Sequence, residues 1–199
     1  MSLQSKPSVD RLLDALEFDI LPLTREGVAH GNKIFGAAIL KKSDGSLVVA
    51  ATNRETANPL WHGEVACLND YWAMPASTRP APQACWFLST HEPCSMCLSA
   101  ITWSGFDSIH YFFSYEDSKI AFAIPHDLNI LAEVFGLREG DYRRRNAFWE
   151  SHRVEDAIVA GNPEKRAKRS ARAAAIRAEY DALSARYQAS KAENEIPLA

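Results

Sequence analysis

The chain reads as an α/β protein whose sheet is covered by helices on both faces. Two observations predict this: strand-like apolar runs alternate with stretches of helical period, and turn residues separate them. With 199 residues, 47% of them hydrophobic and 24% charged, the chain is also long and apolar enough to bury a sizeable core.

The elements follow in order. Ser8 is a helix cap, and Val9, Leu12, Leu13, Leu16 and Ile20 recur at helical spacing behind it. Residues 36–41 and 46–52 form a strand pair around the turn Ser43-Asp44-Gly45. A helix over 62–73 precedes a strand over 84–90, which leads into a helix at about 94–104. A strand at Ser108–Phe113 and a helix near 127–135 follow. Beyond Gly136 the composition shifts to Arg, Ala and Glu, which predicts a helix from about Tyr142 and another after Asn162-Pro163. On that last helix Ala173, Ile176, Tyr180, Leu183 and Tyr187 form an apolar stripe. Something must cover the stripe, either its own domain or a second subunit, and it is too short for a coiled coil.

The chemistry concentrates in two short motifs, His62-Gly63-Glu64 and Pro93-Cys94-Ser95-Met96-Cys97. Zinc binds thiolates and imidazoles tetrahedrally, and a site with three protein ligands keeps its fourth position for water. His62, Cys94 and Cys97 are the candidate ligands. Cys94 and Cys97, three apart, share a helix face, and Pro93 suits the start of such a helix. His62 and Glu64 are two apart, a spacing that inside a helix points them apart, so both belong at a helix entrance where Gly63 lets the chain turn. Helix N-termini aimed at the ion would help keep the thiols ionised. Glu64 is the candidate general base and acid, taking a proton from water and later giving one to a departing amine. Cys67 and Cys85 read as small buried thiols, His91 as a hydrogen-bonded loop-edge histidine, and Glu92 as a helix-entrance charge.

With these motifs the chain resembles the cytidine deaminase-like superfamily of zinc deaminases, in the branch holding guanine, yeast-type cytosine and tRNA adenosine deaminases. Phe35-Gly36-Ala37-Ala38-Ile39-Leu40, Lys42-Ser43-Asp44-Gly45, Asn53-Arg54 and Asn58 through Glu64 fall in that branch's order, covering roughly residues 28–135. Glu92 through Trp103 looks most like bacterial guanine deaminases, through the Trp at 103. The resemblance implies a three-layer αβα sandwich with a central mixed sheet over 1–136 and a helical C-terminal extension over 137–199. It also implies substrate contacts from Asn53, Phe35 and Trp103, with Asp127 as a second carboxylate on the substrate once two extra residues are allowed for. Homo-oligomers, dimers first, are common in it and favour a second subunit over the stripe. Two departures stand out: Gly63 where guanine and tRNA enzymes carry Ala, and Ile34 in place of the usual Pro.

The expectation is therefore hydrolytic, zinc-dependent deamination of a free nucleobase or related aminated heterocycle, guanine-like first and cytosine-like second. Its rivals are a tRNA adenosine deaminase and a non-catalytic zinc module. Arg143-Arg144-Arg145 and the Lys165–Arg172 cluster could serve RNA, but the net charge of −3 favours a solvated helix face, with Glu164/Lys168 and Arg177/Asp181 paired within the helix. No apolar stretch approaches the roughly 20 residues of a membrane span, no leader pattern opens the chain, and irregularly spaced cysteines suit a reducing compartment, so a cytoplasmic location is expected.

Overall fold

The computed structural model describes residues 6–199. Ser8 caps the first helix as its sequence predicts, its hydroxyl accepting from the Arg11 N–H at 3.1 Å. Helix α1 (Val9–Asp14) widens into a π-helical stretch, Ala15–Ile20, before α2 (Leu21–Ala29). The wide turns end against Pro22, whose nitrogen has no hydrogen to donate, so the regular ladder could not continue through it.

Strands β1 (Gly36–Lys41) and β2 (Leu47–Thr52) pair antiparallel around Gly45, which sits at φ +72°. Helix α3 (Gly63–Ala73) is followed by β3 (Cys85–His91), α4 (Ser95–Trp103), β4 (Ser108–Phe113), α5 (Tyr115–Ile120) and α6 (His126–Phe135). The sheet order is β2-β1-β3-β4-β5, with β5 at Glu150–Arg153. β1 is antiparallel to both its neighbours, whereas β3, β4 and β5 run parallel, so the sheet is mixed.

Side chains alternate between two core layers, as the pleat requires. Ala38, Leu40, Trp86, Leu88 and Phe112 face α1, α2 and the C-terminal helices; Ala37, Ile39, Phe87 and Ile109 face α3 and α4. With both faces covered, β3 and β4 are buried along their whole length.

The helix expected near Tyr142 does not form. Tertiary partners claim those residues: the Tyr142 hydroxyl donates to Glu92 at 2.8 Å, and the Trp149 indole donates to Thr102 Oγ1 at 2.7 Å. Between them the Asn146 side chain accepts from the Phe148 and Trp149 amides, closing a turn into β5. After α7 (Val154–Ala160), α8 (Pro163–Ser190) starts at its Asn162 cap, where the Asn side chain accepts from the Glu164 N–H. Its stripe from Ala173 to Tyr187 is buried in the same core layer as Leu13, Leu16 and Phe113, so this chain itself covers it. Arg177 bonds Asp117 and Glu155 on other elements rather than Asp181. Among the described residues no helix is long and apolar enough to cross a membrane.

Candidate active site

His62 and Cys94 occupy equivalent positions, each the capping residue just ahead of a helix, α3 and α4 respectively. Both helix N-termini are thus directed at one point, and Cys97 joins from the first turn of α4. His62 Nδ1 lies 3.6 Å from Cys94 Sγ and 3.7 Å from Cys97 Sγ, and all three donor atoms fall within 4.8 Å of one another. Tetrahedral zinc with ordinary Zn–N and Zn–S bonds sets N···S edges of about 3.6 Å, so the donor set fits that ion.

The electrostatics agree. The Cys97 thiol hydrogen bond, together with His62, holds Cys94 well below the usual thiol range despite burial. Burial and the neighbouring Cys94 charge push Cys97 far the other way. Burial opposes the charged form of His62, yet its contact with Cys94 outweighs this and raises it to about 9. Two thiolates and an imidazole side by side can all lose their protons together only around a cation. Cys67 and Cys85 are buried away from the cluster, as small apolar groups.

Gly63 has a different function from the turn its sequence suggests. A Cβ there would stand 2.6 Å from the Phe35 carbonyl oxygen and 2.7 Å from the Gly36 nitrogen. Only glycine lets the start of α3 press on the start of β1. Glu64, 4% exposed, follows. The Ser89 hydroxyl donates to its Oε1 at 2.7 Å, and the Cys97 thiol approaches Oε2 at 3.4 Å. Burial, then the charge on Cys94, raises the Glu64 carboxyl above the usual range.

The cluster opens into a cavity of about 430 Å³, within the roughly 300–1,000 Å³ of small-molecule pockets. Phe35 and Asp127 line it, as does Glu64. Asp127 stands at the start of α6, and burial, with Cys94 next, pushes its carboxyl up to about 8. Two expected substrate contacts lie elsewhere. Trp103, at the end of α4, is 91% exposed and rims a separate groove with Phe135 and Phe148. Asn53 is fully buried and spends its side chain on Glu55, donating from Nδ2 to Oε2 and accepting the Glu55 N–H at Oδ1.

Glu55 takes that place on the cavity wall, and sequence reasoning missed it together with Lys33, whose ammonium lies 3.0 Å from Glu55 Oε1. The one available signal was a pair of charged residues flanking an apolar strand pair, each two positions from a residue already singled out. Pro197 and Leu198 also reach the cavity, and no local pattern foretold this.

His91 and Glu92, just ahead of the Cys motif, are both buried. Glu92 is buried and fully engaged, accepting from the Tyr115 amide, the Tyr142 hydroxyl and Arg144. His91 is enclosed by Phe35, Phe113, Phe122 and Tyr180. Its Nδ1 meets Thr90 Oγ1 at 2.9 Å, while Nε2 has no partner among the described residues, and burial lowers it to about 3, keeping it neutral.

Residues 20–113 match the family model described as the cytidine and deoxycytidylate deaminase zinc-binding region. No curated protein matches the sequence. Among solved structures the chain is similar to the guanine deaminase of Nitrosomonas europaea, at 23% identity and a TM-score of 0.52, over 89% of this chain and 86% of that one. The guanine deaminase of Bacillus subtilis gives 23% identity and 0.51, over 83% and 93%. A further structure, solved in complex with 2,6-diaminopurine, gives 23% and 0.51, over 94% and 86%. Residues 20–113 therefore match the zinc-binding region of cytidine and deoxycytidylate deaminases, and the chain shares the fold of these solved structures.

Proposed function

We propose that the protein deaminates a free nucleobase or related aminated heterocycle by hydrolysis, with guanine-like rings first and cytosine-like rings second. The observation that carries this reading is the Glu64 carboxylate, buried beside a three-ligand cluster at the base of a small-molecule cavity. His62, Cys94 and Cys97 would hold zinc, which when bound supplies the Lewis acidity that makes water nucleophilic near neutral pH.

Ser89 fixes one oxygen of Glu64, which leaves the other to handle protons. That oxygen takes a proton from the attacking water and passes it to a ring nitrogen. A second transfer protonates the amine, which leaves as ammonia while the ring carbon keeps the water oxygen. Phe35 supplies an apolar wall for the ring, and Asp127 a polar group toward its edge. The guanine-like preference is supported by the carboxyl group of Asp127 on the cavity wall. Substrates as large as tRNA fit the structure less well, because four arginines of the basic clusters are paired within the chain: Arg144 with Glu92, Arg145 with Glu150, Arg169 with Asp10, and Arg172 with Asp14 and Glu17. A homodimer is part of the same reading, the apolar groove rimmed by Trp103, Phe135 and Phe148 being its contact.

Glu64→Gln is expected to retain zinc and lose ammonia release by at least about a hundredfold, the scale of a lost general base. Cys97→Ser is expected to lose the zinc itself. An ammonia-release screen over guanine, cytosine, adenine and their nucleosides, beside metal analysis, checks both. Full turnover by Glu64→Gln would overturn the mechanism.

A further inference from the structure

Lys33 is an unusual residue to find in a cavity wall. Its side chain is 5% exposed, and its partner Glu55 only 3%. An ammonium carries three N–H donors, and burying it is costly unless they are used. Among the described residues its one hydrogen bond is to Glu55 Oε1, at 3.0 Å. Glu55 is held rigidly in turn, because the buried Asn53 amide binds its other oxygen and its backbone N–H. The lysine is thus locked in place with donors to spare, and the space beside it is the cavity.

Its position relates it to the reacting centre. The Glu55 oxygen that binds Lys33 also lies 3.6 Å from His62 Nε2, on the ring edge opposite the Cys sulfurs. The Lys33 ammonium and the outer edge of the His62 ring thus meet the same carboxylate oxygen. The surrounding charge narrows what can be bound. Glu55 neutralises Lys33, so the pair presents no net positive charge to a phosphate or carboxylate, whereas a neutral carbonyl oxygen needs only a free N–H.

We propose that Lys33 donates a hydrogen bond to a ring oxygen of the substrate, which selects amino-heterocycles that also carry an oxo group over those that do not. Glu55, set by Asn53, is the positioning residue for this donor. This specificity rests on the deaminase reading, and adenine-like rings, which lack the oxygen, are disfavoured by it.

Hypoxanthine and 2-pyrimidinone are guanine and cytosine without the reacting amine, and purine and pyrimidine are the same rings without the oxygen. Calorimetric binding of these four to the zinc-loaded protein reads the preference without turnover. The wild type is expected to bind at least one oxo ring about tenfold or more tighter than its oxygen-free partner, the scale of a hydrogen bond from a charged donor. Lys33→Met, and Lys33→Met/Glu55→Gln, which leaves no lone buried charge, are expected to narrow that ratio to within about twofold. An unchanged ratio in a folded variant, equal loss for both rings, or no preference in the wild type would overturn the proposal. Lysine-dependent binding of an oxo ring without ammonia release from guanine or cytosine would instead overturn the deaminase reading and leave the lysine's function standing.

Discussion

Gly63 separates His62 from Glu64, so the smallest side chain in the motif sets the positions of the two groups beside it. Alanine, which the resemblance gives at this position in guanine and tRNA deaminases, cannot be accommodated on this backbone, because its Cβ would meet main-chain atoms of Phe35 and Gly36. Main chain gives less readily than the end of a flexible side chain. Gly63→Ala is therefore expected to lower stability by about 1–3 kcal/mol, as overpacking does, and to reduce bound zinc below one per chain. Urea unfolding and metal analysis on the same sample test this. An unaltered midpoint with full zinc would show that α3 can shift without cost.

Asp117 shows how a single carboxylate joins elements. It completes the capping box of α5 with Ser114, accepts from Arg153 at the end of β5 at 3.0 Å, and accepts from Arg177 on α8 at 3.0 Å. Burial pushes its carboxyl up, but the hydrogen bonds from Arg177 and Ser114 outweigh this and bring it below 3.8. A carboxyl held lower in the folded than in the unfolded state stabilises fully above the unfolded value, and the contribution fades as pH falls through the folded one. Asp117→Asn is expected to cost roughly 1–2 kcal/mol at pH 7, after allowance for solvent screening. The gap from wild type should close as pH falls below 3.8. Denaturant titrations at the two pH values check the sign; a gap that widens in acid would contradict it.

Over the whole molecule, the C-terminal helix returns to the N-terminal one. Arg169 makes a two-pronged contact with Asp10 at 2.9 and 2.8 Å, and Arg172 reaches Asp14 and Glu17. Beneath these pairs Ile176 and Tyr180 pack into the layer that holds Leu13 and Leu16. The α8 stripe is thereby satisfied within one chain, so the dimer proposed above is assigned to the exposed groove at Trp103, Phe135 and Phe148. Sedimentation is expected to show a dimer that Trp103→Ala or Phe148→Asp weakens by about tenfold or more, the loss of an interface anchor. A wild-type monomer at micromolar concentration would refute the assignment of this surface.

The three zinc donors, the carboxylate beside them, the Ser8 and Asn162 caps and the strand at Ser108–Phe113 were all legible along the chain. Each depends on neighbours a few residues away, through helical spacing, capping and the alternation of strand and turn. Other features depend on which distant segments become neighbours. Lys33 and Glu55 meet because β1 and β2 pair, so the loops at their ends share one cavity edge. Tyr142 and Trp149 leave the helical path because Glu92 and Thr102 are there to receive them. Trp103 turns outward because the helix carrying it ends on the far side from its Cys-bearing first turn, and a nine-residue helix is about 14 Å long. Short-range periodicity encodes the direction of a side chain about its own axis; the charge or surface it meets is set by packing between elements far apart in the chain.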